Sequence, residues 1–107
     1  MEKVTLTKPD DWHLHLRGGD AMKSVVGMSA LQMGRGVIMP NLSPPIRNAS
    51  QAIAYHKEIM SALPKETSFK PLMVLYLTDS TTKNEIIEAS EAEEIHAVKL
   101  YPAGVTT

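Results

Sequence analysis

A chain of 107 residues with a net charge of −1 has room for one modest domain and shows no electrostatic footprint for nucleic acid or an anionic membrane. It has no cysteine, which excludes disulfides and thiolate metal sites, so a metal would have to be held by His, carboxylate or a modified side chain. No stretch approaches the about 18 uninterrupted apolar residues of a membrane span, and the N-terminus lacks the layout of a signal or transit peptide, so a soluble cytoplasmic protein is the expectation.

Val4 to Leu6 and then Trp12 to Leu16 alternate apolar with polar residues, which predicts strand. Arg17-Gly18-Gly19-Asp20 reads as a turn, with Asp20 placed to cap a helix. Met22, Val25, Val26, Ala30 and Met33 then recur at helical spacing, and Gly34 and Gly36 end that run. Gly36 to Met39 is a short apolar strand stopped by Pro40, of the kind covered on both faces. A proline-rich loop spans Asn41 to Asn48. Ser50 opens a helix with Ala52, Ile53, His56, Ile59, Met60 and Leu63 along one side, and Pro64 closes it. Pro71 to Leu77 is the next strand. Thr82 and Glu85 form a capping box for a helix through Ile86, Ile87 and Ala89, and His96 to Tyr101 is a fourth strand.

The order β-α-β-α-β-α-β, with no hairpin signal, predicts parallel strands joined by right-handed crossovers: an α/β fold. Such strands fit either an open doubly wound sheet or half of an eight-stranded barrel. A whole barrel usually needs about 250 residues, so the second reading makes residues 1–107 the first four strands of a larger domain.

Side chains two apart on a strand share a face. His13 and His15 would therefore project together at the C-terminal end of the first strand, where parallel α/β proteins place their sites. Two imidazoles so spaced can bind one Zn²⁺, although a short His-x-His pattern also arises in strands whose histidines are simply solvated. Arg17 shares their parity and suits a carboxylate between itself and a cationic centre; an ordinary surface arginine is the alternative. Asn41, after Met39-Pro40, offers a donor and an acceptor to a ligand or else ends a strand in a turn. Lys99 interrupts an apolar strand. Burial would lower its pKa and let the neutral amine form a carbamate with CO₂, whereas a strand-edge position would leave it in water. His56 on the second helix and His96 at the start of the fourth strand are poor ligand candidates, and the methionines read as core filler.

Four motifs in order make a stronger signal than any one: Lys8 to Arg17, Val37 to Pro45, Pro71-Leu72-Met73 with Tyr76-Leu77-Thr78-Asp79, and Lys99 to Ala103. Together they resemble the dihydroorotase family of the amidohydrolase superfamily, in its shorter bacterial-type class, over nearly the whole chain. The resemblance implies the N-terminal half of a (β/α)₈ TIM-type barrel with a two-zinc site at its strand ends. It implies that His13 and His15 bind the more buried zinc, that Lys99 is carbamylated and bridges both metals, and that Arg17 and Asn41 hold the substrate carboxylate. It implies reversible ring closure of N-carbamoyl-L-aspartate to L-dihydroorotate in pyrimidine synthesis, a small-molecule substrate, no nucleic-acid or membrane partner, and a homodimer in the full-length form.

Two departures stand out. The family usually follows this arginine with an acidic residue and glycine, where this chain has Gly18-Gly19. The family's two later histidines and its proton-shuttle aspartate have no counterpart here, so no catalytic acid–base residue is expected within the chain, and the chain alone is expected to be inactive. Thr106-Thr107 resembles the start of the family's substrate-covering loop. A hydantoinase- or allantoinase-like amidohydrolase fits less well, because Arg17 with Met39-Pro40-Asn41 suits a substrate with a free carboxylate. A non-catalytic chain that binds a partner is the remaining alternative, since four strands cut from a barrel leave open edges.

Overall fold

The computed structural model describes residues 2–102. Seven elements follow one another: β1 (Asp11–Leu14), α1 (Gly19–Gln32), β2 (Arg35–Ile38), α2 (Ala49–Ala62), β3 (Lys70–Tyr76), α3 (Lys83–Glu91) and β4 (Ile95–Lys99). All strand pairs are parallel, and the sheet order is β1-β2-β3-β4. A doubly wound sheet reverses its order at a switch point. Here each strand pairs with its successor, and residues of all three helices join one core cluster against the sheet. That is the winding of a barrel arc, which decides between the two architectures left open by periodicity.

The core lies between sheet and helices. Leu16, Ile38, Met73 and Leu75 meet Met22 and Val26 of α1 and Ile59 of α2, all fully or almost fully buried. Burying each such side chain contributes about 1.5–3 kcal/mol. Along β3 the alternate residues Leu72, Val74 and Tyr76 lie on the opposite face, and Tyr76 is the register partner of Lys99. This second face is the concave side of the arc and leads to the strand ends that carry the site.

Several local expectations hold. The capping box of α3 is complete: Thr82 accepts from the Glu85 amide and Glu85 from the Thr82 amide. Others need correction. Val4 to Leu6 form no strand, and Val4 and Leu6 are 83% and 75% exposed, because alternation without a neighbouring strand has nothing to pair with. Asp20 is not the cap of α1; Gly18 takes that position without a side-chain bond, and Asp20 sits in the first turn, where its charge suits the helix dipole. Helix α2 begins one residue early under an Asn48 cap, and its buried line is Ala52, Tyr55 and Ile59, with Met60 nearly half exposed. The Thr106-Thr107 loop motif lies outside the described residues.

Tyr55 is 3% exposed, and burial pushes its phenol up to about 12, helped by Glu58. The folded protein therefore holds this proton more tightly than the unfolded chain, whose tyrosine ionises near 10. The stabilisation is complete below pH 10 and drains away between about pH 10 and 12, amounting to on the order of 2 kcal/mol. Tyr55→Phe should flatten that alkaline decline in a urea-midpoint series against pH; a wild-type midpoint constant over this range would contradict the assignment.

Candidate functional site

The site gathers at the C-terminal ends of the strands. His13 lies in β1, and its backbone amide donates to the Asp11 carboxylate at 3.0 Å. His15 follows one residue beyond the strand. Their Nε2 atoms stand 3.1 Å apart, with ring centroids at 5.0 Å and planes tilted by 39°. Two Zn–N bonds of about 2.0–2.1 Å at a tetrahedral angle place their nitrogens about 3.3 Å apart, so the pair fits one zinc. Burial pushes the His15 imidazole below its ordinary value, and the charges of Arg17, Lys99 and His13 add to the effect. The neutral ring so favoured is the form that binds metal. Among the described residues, no group of three or more His, Cys, Asp or Glu side chains could hold a metal. A further ligand from this chain would therefore have to be of another type.

Lys99 ends β4 on the concave face. Its Nζ donates to Asn41 Oδ1 at 2.6 Å and lies 5.2 Å from the centre of the Tyr101 ring. Burial lowers its pKa, and the Arg17 charge adds to this. Arg17 Nη1 donates to the Asn41 carbonyl at 3.1 Å. Asn41 therefore touches both cations, one through its backbone and one through its side chain.

Strand parity is not what brings Arg17 here. Regular strand ends at Leu14, and Arg17 has φ of 59°, in the left-handed region. A turn, not alternation, aims the guanidinium. Gly19 shares that conformation at φ of 56°, which explains the second glycine. Gly18, at φ of −136°, has no such backbone need.

Arg17, Asn41, Ser43 and Tyr76 line a cleft of about 720 Å³. Its wall, the loop after β2, is tied to β3 by the Tyr76 amide donating to the Ile46 carbonyl at 2.7 Å, and to the turn after β3 by Arg47 donating to the Ser80 hydroxyl. The Ser43–Pro44 peptide bond in this loop is cis. Tyr76, which the sequence offers as part of the third motif but not as a site residue, reaches the cleft as the last residue of β3. His56 sits mid-helix in α2 and His96 at the N-terminal end of β4, both apart from this constellation as expected.

A singly wound run of parallel strands, with two imidazoles, an amine, an amide and a guanidinium at its C-terminal rim, defines part of a (β/α)₈ barrel bearing a metal- and anion-suited site. No protein-family model matches the chain. Curated relatives do. The dihydroorotase of Ralstonia nicotianae is 55% identical over 107 residues, covering 100% of this chain and 31% of the relative. That of Picosynechococcus sp. is 54% identical with the same coverage. Among solved structures, the Campylobacter jejuni dihydroorotase matches with a TM-score of 0.79 and 39% identity, over 94% of this chain and 29% of that one. The Saccharomyces cerevisiae dihydroorotase, crystallised with 5-fluoroorotic acid, matches with a TM-score of 0.83 and 37% identity, over 92% and 27%. The chain thus corresponds in sequence and fold to the N-terminal part of the dihydroorotase barrel, and spans 31% of the curated relatives' length.

Proposed function

We propose that this chain supplies the first four strands of a zinc-dependent dihydroorotase, which interconverts N-carbamoyl-L-aspartate and L-dihydroorotate. The observation that carries this reading is the convergence of the His13–His15 nitrogen pair and the Arg17–Asn41–Lys99 network on one rim. His13 and His15 would hold one zinc. Lys99 would add an anionic ligand as a carbamate: the neutral amine attacks the carbon of CO₂, an N–C bond forms, one C–O π pair moves to oxygen, and a proton leaves nitrogen for solvent. Burial and Arg17 favour the neutral amine this step needs. Asn41 suits both states of Lys99, because its amide can accept from an amine or, turned over, donate to a carbamate.

When bound, zinc supplies Lewis-acid polarisation of an amide carbonyl and makes water more acidic. The chain's own cations do the rest. Arg17 spends one N–H on Asn41 and keeps others for a carboxylate. The ligand named for the yeast structure, 5-fluoroorotic acid, has that chemistry: a pyrimidine ring with a carboxylate.

The test joins this chain to the remaining part of the Ralstonia nicotianae dihydroorotase, giving a completed barrel. Ring opening of dihydroorotate is the expected activity. Arg17→Gln should raise KM for dihydroorotate by about 10- to 100-fold, the worth of a hydrogen bond to a charged group. A folded chimera without ring-opening activity, or an Arg17→Gln variant with unchanged KM, overturns the reading.

A further inference from the structure

The turn that aims Arg17 is held from outside the rim. Tyr55, buried in the middle of α2, donates its hydroxyl to the Arg17 carbonyl across 38 residues of sequence. One helical turn later, Glu58 accepts from the Gly19 amide at 3.1 Å. Residues three apart lie on one helix face, so a single face of α2 grips both ends of the Arg17-Gly18-Gly19 turn. That turn needs gripping, because Arg17 adopts a left-handed backbone that a residue with a Cβ rarely takes. Such a conformation persists only where its surroundings impose it. Burial keeps the Tyr55 phenol protonated well beyond neutral pH, so it remains a donor.

We infer that Tyr55 is a positioning residue: its hydroxyl, with Glu58 as a second support, fixes the strained Arg17 backbone and thereby the guanidinium that receives the substrate carboxylate. The inference rests on the proposed role of Arg17 and adds the device that keeps that side chain in place. Neither residue reaches the cleft chemistry itself. Without the phenolic bond the turn relaxes, Arg17 samples other directions, and carboxylate binding weakens uniformly in ground and transition states. Uniform loss raises KM and leaves kcat alone.

In the completed barrel, Tyr55→Phe keeps the ring in the core and removes only the hydroxyl. KM for dihydroorotate and Ki for 5-fluoroorotic acid should both rise about five- to tenfold, the worth of one hydrogen bond. kcat, zinc content and Ki for 5-fluorouracil, which lacks the carboxylate, should stay unchanged. Amide hydrogen exchange at Gly18 and Gly19 should accelerate. In Arg17→Gln, adding Tyr55→Phe should cost nothing more. Equal losses on 5-fluoroorotic acid and 5-fluorouracil, a fall in kcat with unchanged KM, or no change at all would overturn the assignment. Faster exchange at the turn together with an inert Arg17→Gln would instead sink the role of Arg17 while leaving the grip on the turn intact. Should Tyr55→Phe fail to fold, Glu58→Ala, at an exposed position, must show the same KM-selective shift in smaller measure, or the inference falls.

Discussion

His13→Ala in the completed barrel is expected to lower kcat/KM by more than about a hundredfold and to deplete bound zinc. The magnitude follows from a comparison of roles. Residues that merely orient a metal ligand already cost 10- to 100-fold when removed, so loss of the ligand itself must cost at least as much. Alanine would leave the His15 Nε2 atom facing empty space where a second nitrogen now stands at 3.1 Å. Folding should be unaffected, because His13 is exposed and is not a member of the core cluster. Metal analysis of the purified variant, beside turnover and a urea titration, separates the two effects. Near-stoichiometric zinc with a normal rate would remove His13 from the metal site.

The second large effect concerns Gly36→Ala. A Cβ at Gly36 would stand 2.8 Å from Phe69 Cζ and 2.9 Å from Leu14 Cδ2. Real carbon atoms do not approach so closely, and both neighbours are hemmed in by the core. Overpacking of this kind costs about 1–3 kcal/mol, more than the roughly 0.5–1 kcal/mol that alanine gains over glycine in a strand. The strain also reaches the rim, since Leu14 sits between His13 and His15, and pushing it aside disturbs the nitrogen pair. The expected result is a lower urea midpoint at unchanged m, with weaker zinc retention in the completed barrel. Gly34→Ala is the matched control: its nearest neighbour would be 3.6 Å away, so its midpoint should barely move. Equal midpoints for Gly36→Ala and the parent chain would contradict the packing described here.

Much of the architecture was legible because β2 and β3 are short and largely apolar and the segments between strands carry strong start and stop signals. Pro40 follows β2, and Thr82 with Glu85 opens α3 where the capping box predicted it. Hydrophobic period could not supply the barrel winding, because it reports burial and says nothing of which strand lies beside which; the four motifs, through their resemblance to the dihydroorotase family, did supply it. The His13 and His15 pairing followed from alternation alone. Arg17 reached the right place by a route that alternation could not supply: a left-handed turn pinned by a helix 38 residues away. Tyr55 escaped notice for a related reason. The apolar line along α2 takes in Ala52, Ile53, His56, Ile59, Met60 and Leu63; its Ala52 and Ile59 do face the core, but the residue buried between them is Tyr55. An aromatic with a polar tip hides easily in such a pattern, since it can serve core and turn at once.

Because every strand lies beside its immediate successor, the rim is laid down in the direction the ribosome reads. The imidazole pair comes first, Asn41 joins when the second strand docks, and Lys99 arrives with the fourth. Each docking spans only one crossover, which keeps loop-closure costs small and lets an emerging polypeptide secure one layer before the next is made. A lesion early in the chain would therefore be felt at every later stage of assembly, whereas one in β4 would leave β1, β2 and β3 already paired.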